Sequence, residues 1–123
     1  DRGWRATLLS VAGAFHSPLM TSAADAMLDV LAETEILPLQ AEVWTNVTAS
    51  RYPADSPDVI RRTLADQITS PVRWSSQMAA MIEAGMGCWT ELAPGKVLKG
   101  LMRRIDRAAK VDNHDQPDTT VST

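Results

Sequence analysis

The sequence predicts an α/β fold in which a partial parallel sheet is flanked by helices. Three observations carry that reading. Short β-leaning segments at 5–11, 42–48 and 88–92 alternate with longer stretches of helical periodicity, the pattern of parallel α/β construction. Ser-Pro pairs precede the helical stretches at 17–18, 56–57 and 70–71. The chain has 123 residues, 45% hydrophobic and 22% charged, which suits one small soluble domain with one core.

Each element has a local reason. In a Ser-Pro pair, Ser takes the N-cap and accepts a hydrogen bond from an orphaned backbone N–H. Pro takes the first helical position, where its missing N–H costs nothing. After Ser17-Pro18, the residues Met20, Ala23, Ala24, Met27, Leu28 and Leu31 recur at three- and four-residue steps. They predict one apolar helix face ending near Glu35, before Pro38. After Ser56-Pro57, the residues Ile60, Leu64 and Ile68 predict a second such face. After Ser70-Pro71, Trp74, Met78, Met81 and Ile82 form a third, with Gly85 as its C′ stop. A fourth helix starts near Lys96, with Val97, Leu98, Leu101, Met102 and Ile105 on one side. Gly100 inside it is read as a point of close packing, since glycine costs a helix up to about 1 kcal/mol against alanine. Residues 1–110 are read as part of one domain, and 111–123, polar and aperiodic, as a flexible tail. A three-stranded sheet is thin, and the chain starts at Asp1 close to a strand, so part of the domain is expected to lie elsewhere.

Composition narrows the function. A net charge of −3 does not suggest a nucleic-acid partner. No apolar run is long enough to span a membrane, and no signal peptide is visible. Cys88 is the only cysteine, which fits a reducing compartment, the cytoplasm. It opens a buried-looking strand and is read as core. Lys96, Lys99, Arg103, Arg104, Arg107 and Lys110 make up half of the 12 basic residues. They read either as a solvated helix face or as a docking surface for an acidic partner. His16, His114 and Cys88 lack any metal-ligand spacing, so no metal is expected. The stretch "APGKVLKG" lacks the P-loop glycine spacing and its Ser/Thr, and is read as a strand-to-helix turn.

His16 is the residue that stands out. It follows a predicted strand end and precedes a helix start, where sites gather in open α/β sheets. Gly13 and Ala14 leave room beside it. Yet Ser17 looks committed to capping, and no G-x-S-x-G elbow is present. Read alone, the chain supplies a base without a nucleophile.

The stretches "GAFHSPLM", "NVTA", "IRRTLADQITSPVRW" and "ELAPGKVLKGLMRRI" resemble, in order and spacing, the C-terminal part of the malonyl-CoA:acyl carrier protein transacylase family. The resemblance runs from about residue 5 to about residue 107 and covers less than half of a family member. It implies the C-terminal part of an acyltransferase fold, which is α/β-hydrolase-like. It implies that His16 is the catalytic base, oriented by the backbone carbonyl of Gln67, and that the nucleophile is a serine of an upstream elbow. The implied partners are malonyl-CoA and holo-acyl carrier protein, and no cofactor is implied. By the same resemblance Phe15, just before the base, selects malonyl over methylmalonyl, and Asn46 matches a recurrent asparagine near the site. Ala93-Pro94-Gly95 replaces the usual Gly-Pro-Gly. The elbow serine, the arginine for the malonyl carboxylate and the oxyanion loop are absent from these residues. Two alternatives stand beside this one. Polyketide synthase acyltransferase domains more often read "N-L-R-x-P-V-R-F", so Gln67 and Trp74 favour the free-standing enzyme. A non-catalytic remnant that binds a carrier protein through its basic helix is the other.

Overall fold

The computed structural model describes Gly3 and residues 13–92 and 94–115. These fall into two compact units. One comprises residues up to Val43 together with Arg51–Val72; the other comprises Trp44–Ser50 and the residues from Arg73 onward.

In the first unit a 3₁₀ turn, Pro18–Met20, leads into helix α1, Thr21–Ala32, and helix α2 covers Pro57–Thr69. The two helices pack on each other, burying Leu31 from α1 with Ile60 and Ala65 from α2. Arg61 of α2 ties them further. Its Nε donates to the Leu31 carbonyl and its Nη2 to the Thr34 carbonyl, each at 2.8 Å. These carbonyls lie at the exit of α1, where the helical ladder runs out of donors. The contact stripe of α2 therefore passes through Arg61, Ala65 and Ile68. Leu64, expected on the apolar face, falls to its edge and is 40% exposed.

The Ser-Pro pairs do not all act as expected. Ser17 and Ser56 occupy N-cap positions with Pro next, but neither side chain makes a capping bond. Ser17 Oγ instead donates to the Ala14 carbonyl at 2.6 Å. Ser70 ends α2 as its C-cap, and the next helix begins only at Trp74. The cause is the residue after it: proline disfavours the helical region for the residue before it, and Ser70 is extended at φ −100°, ψ 146°.

Strands β1 (Trp44–Thr45) and β2 (Ser50–Arg51) pair as a short hairpin, which apart from Arg51 belongs to the second unit. The expected strand 42–48 stops early because Thr45 turns the chain on itself. Its Oγ1 accepts the Val47 N–H at 3.1 Å, and its carbonyl accepts the Ala49 N–H at 2.9 Å. Helix α3, Trp74–Glu83, ends as expected at Gly85, which has φ +87°. The N–H of Gly85 bonds the Ile82 carbonyl and that of Met86 the Met81 carbonyl, the paired bonds of a Schellman stop.

Strand β3 (Trp89–Glu91), helix α4 (Val97–Ile105) and strand β4 (Val111–Asn113) then form a β-α-β unit. The strands are parallel, with Trp89 opposite Val111 and Glu91 opposite Asn113. Met78, Met102 and Val111 are the buried centre, with Trp74, Met81, Ile82, Trp89 and Ile105 packed around it. Residues 111–113, expected to begin the tail, thus supply a strand and a core residue.

Two further expectations change here. Cys88 is exposed rather than core, because side chains alternate along β3 and it shares the outward side with Thr90. At Gly100 a Cβ would meet nothing within 4 Å, so the glycine serves no close approach among the described residues. The predicted strand 5–11 lies outside the described residues. Among those described, no helix is long and apolar enough to cross a membrane.

Candidate functional site

The site is built at the end of α2. The last bond of its ladder runs from the Ser70 N–H to the Asp66 carbonyl at 2.9 Å. The next two carbonyls, of Gln67 and Ile68, turn to His16. The His16 backbone N–H donates to Ile68 O at 3.0 Å, and His16 Nδ1 lies 2.8 Å from Gln67 O. Nδ1 must carry the hydrogen to donate to a carbonyl. That leaves Nε2 with its lone pair free, the form a general base needs.

His16 takes up an unusual backbone to reach this position. Its φ of +61° lies in the left-handed region, where a non-glycine residue costs on the order of 1–3 kcal/mol. Such strain persists where surrounding bonds over-determine it, as these two bonds from consecutive carbonyls do. The Gln67 side-chain Nε2 lies 3.3 Å from the same atom, but with Nδ1–H directed at the carbonyl both nitrogens are donors and this approach adds no hydrogen bond. The imidazole is exposed and Gln67 half-buried, so the ring is anchored on one edge and open on the other.

The residues singled out from sequence are distributed as follows. His16 and Gln67 are together, within the first unit. Phe15 is 60% exposed, and its ring lies where a Cβ on Gly13 would touch it at 3.4 Å. The room left by Gly13 is thus used by Phe15 itself. Asn46 belongs to the second unit, in the turn after β1, and its carbonyl accepts the Arg73 N–H at 3.1 Å. Among the described residues no group of three or more His, Cys, Asp or Glu is placed to hold a metal. Sequence reasoning missed the Ile68 carbonyl. A backbone acceptor leaves no trace in side-chain identity, so it had no signal to find.

No protein-family model matches the sequence. Individual proteins do. The malonyl CoA-acyl carrier protein transacylase of Bacillus subtilis is 36% identical over 115 residues, 94% of this chain and 36% of the relative. This chain is homologous to the malonyl-CoA:acyl carrier protein transacylases. It spans about a third of the length of the relatives it matches. A polyketide biosynthesis transacylase, PksC of the same organism, is 34% identical over 102 residues, covering 83% of this chain and 34% of itself.

Solved transacylase structures agree with the fold. The acyl-carrier-protein S-malonyltransferase of Burkholderia pseudomallei superposes with a TM-score of 0.84 at 31% identity, covering 92% of this chain and 36% of that one. A malonyl-transacylase in complex with its type II polyketide synthase acyl-carrier protein gives 0.82 at 33% identity, covering 89% and 35%. The mixed α/β architecture with its small parallel sheet is accordingly part of the transacylase fold.

Proposed function

We propose that this chain contributes the general base of a malonyl-CoA:acyl carrier protein transacylase, acting in fatty acid biosynthesis in the cytoplasm. The observation that carries this is the 2.8 Å approach of His16 Nδ1 to the Gln67 carbonyl, which leaves Nε2 as the free base. In the first half-reaction Nε2 takes the proton of a serine hydroxyl as its oxygen bonds the malonyl thioester carbon. The C–S bond breaks, and the coenzyme A sulfur leaves with that proton. In the second, Nε2 takes the proton of the phosphopantetheine thiol. Its sulfur bonds the malonyl carbon, the C–O bond to serine breaks, and serine recovers the proton. The serine is not among these 123 residues, which hold no G-x-S-x-G elbow, so the chain alone carries no malonyl group.

Phe15 and Asn46 complete the reading on the substrate side, and no cofactor takes part. The carrier protein, acidic as a class, meets the basic surface of α4 and its exit. Lys96, Arg103, Arg104, Arg107 and Lys110 are all exposed there. One observation favours a second reading, a polyketide role: PksC is nearly as similar as the first relative, 34% against 36%.

The test is a chimera in which this chain replaces the matching third of the Bacillus subtilis transacylase. Transfer of radiolabelled malonyl to holo-carrier protein is the assay. His16→Ala should lower kcat/KM by about 10²–10⁴-fold, the worth of a positioned general base. Unchanged transfer by that variant removes His16 from the mechanism.

A further inference from the structure

The imidazole depends on a carbonyl that an α-helix would ordinarily consume. In a helix the carbonyl of residue i accepts the N–H of residue i+4. For Gln67, third from the end of α2, that donor falls on position 71. Position 71 is proline and has no N–H. Pro71 acts a second time through its neighbour. It restricts Ser70 to the extended backbone observed, φ −100° and ψ 146°, which stops another helical turn from forming. Both effects leave the Gln67 carbonyl without a backbone donor at the place where His16 Nδ1 takes it at 2.8 Å. The Ile68 carbonyl, next along, is released by the same stop and holds the His16 backbone at φ +61°.

We infer that Pro71 is a positioning residue for His16: by withholding an N–H it reserves the Gln67 carbonyl for Nδ1 and so selects the tautomer that leaves Nε2 basic. Pro71 touches no reacting atom in this account. An ordinary residue at 71 brings an N–H into competition for the carbonyl and frees Ser70 to continue the helix. The imidazole then loses the bond that distinguishes its two nitrogens. The inference rests on the reading of His16 as the base, but its evidence is separable from that reading.

The experiment is nitrogen-15 NMR of the histidine rings in the full 123-residue chain. Long-range correlation shows which ring nitrogen of neutral His16 bears the hydrogen. His114, the other histidine, lies in the second unit and serves as internal reference. The unsubstituted chain should show Nδ1 protonated. In Pro71→Ala the ratio of the Nδ1–H to the Nε2–H form should fall about tenfold, the size of one net hydrogen bond. Pro71→N-methylalanine, prepared by semisynthesis, also lacks the N–H and should keep the original ratio. A purely structural role for the proline ring predicts that both substitutions act alike, and that result overturns the inference. So does a folded Pro71→Ala chain with His16 unchanged. If Pro71→Ala does not fold, the unsubstituted chain and the N-methyl variant decide: an Nε2–H form of His16 in either refutes it. Failure of the base reading shows separately, as undiminished malonyl transfer by His16→Ala in the chimera.

Discussion

Glu91 offers the sharpest test of how the second unit is held together. Its side chain is 3% exposed at the end of β3. Oε1 accepts the Leu98 N–H at 2.9 Å, and Oε2 accepts the Lys99 N–H at 3.1 Å and Asn113 Nδ2 at 3.4 Å. Leu98 and Lys99 stand in the first turn of α4, where N–H groups lack helical partners and the dipole favours negative charge. The N-cap residue itself, Lys96, has no side-chain acceptor to offer. Glu91 therefore caps α4 from a neighbouring strand. Through Asn113, whose Nδ2 also donates to Gly95 O at 2.7 Å, it links both strands to the turn that leads from β3 into α4.

The magnitude follows from those bonds. A hydrogen bond to a charged group is worth about 1.5–3 kcal/mol, and loss of an ordinary helix cap costs about 0.5–2 kcal/mol. The bonds share one carboxylate and do not add. Glu91→Ala should destabilise the unit by about 2–4 kcal/mol. Glu91→Gln turns a donor toward one of two N–H groups and should cost about 1–3 kcal/mol, although its shape is almost unchanged. Urea unfolding followed by tryptophan fluorescence reads the total. Hydrogen exchange at the amides of Leu98 and Lys99 reads the cap locally, with protection falling by about 10²-fold in the alanine variant. If Glu91→Gln stays within about 0.5 kcal/mol of the unsubstituted chain, as surface substitutions do, the carboxylate is not the cap and the reasoning fails.

Other substitutions separate further parts of the account. Arg61→Met removes the two bonds to the exit of α1 and should cost about 1–3 kcal/mol, whereas Asp58→Ala, which loses an ion pair whose acid is 90% exposed, should cost less than about 0.5 kcal/mol; thermal melts of the two variants check the contrast. Gly100→Ala should stabilise the chain by about 0.5–1 kcal/mol, because the added methyl meets nothing and glycine is a poor helix residue; a lower urea midpoint would contradict it. Phe15→Ala in the chimera should raise the kcat/KM ratio of methylmalonyl to malonyl transfer about tenfold or more, the scale of a methyl-sized fit; a ratio that does not move removes Phe15 from selectivity.

How much of this was legible in the sequence depended on whether the signal was local. The stripe Trp74, Met78, Met81, Ile82 with its stop at Gly85 was read correctly, because periodicity and a positive-φ glycine are properties of one segment. Strand β4 was not legible. The stretch "VDN" has a single apolar residue, and it is a strand only because α4 returns the chain alongside β3. The Glu91 cap joins a strand to a helix seven residues on and a side chain 22 residues on, which no spacing rule covers. The His16–Gln67 pair spans 51 residues. Spacing drew attention to His16 alone; its pairing with Gln67 came from the family resemblance.

The three Ser-Pro pairs show why a local signal can still mislead. Each reads as a helix start, and the dipeptide permits that reading equally at all three. What differs is what precedes it. Before Pro18 and Pro57 the chain is not helical, so proline at the first position is free of conflict. Before Pro71 there are thirteen helical residues, and there proline has the opposite effect: it denies the preceding residue the helical backbone and denies the helix its next donor. The same chemistry that opens one helix closes another. At the closing end it leaves two carbonyls unclaimed, and those two hold the histidine on which the proposed function depends.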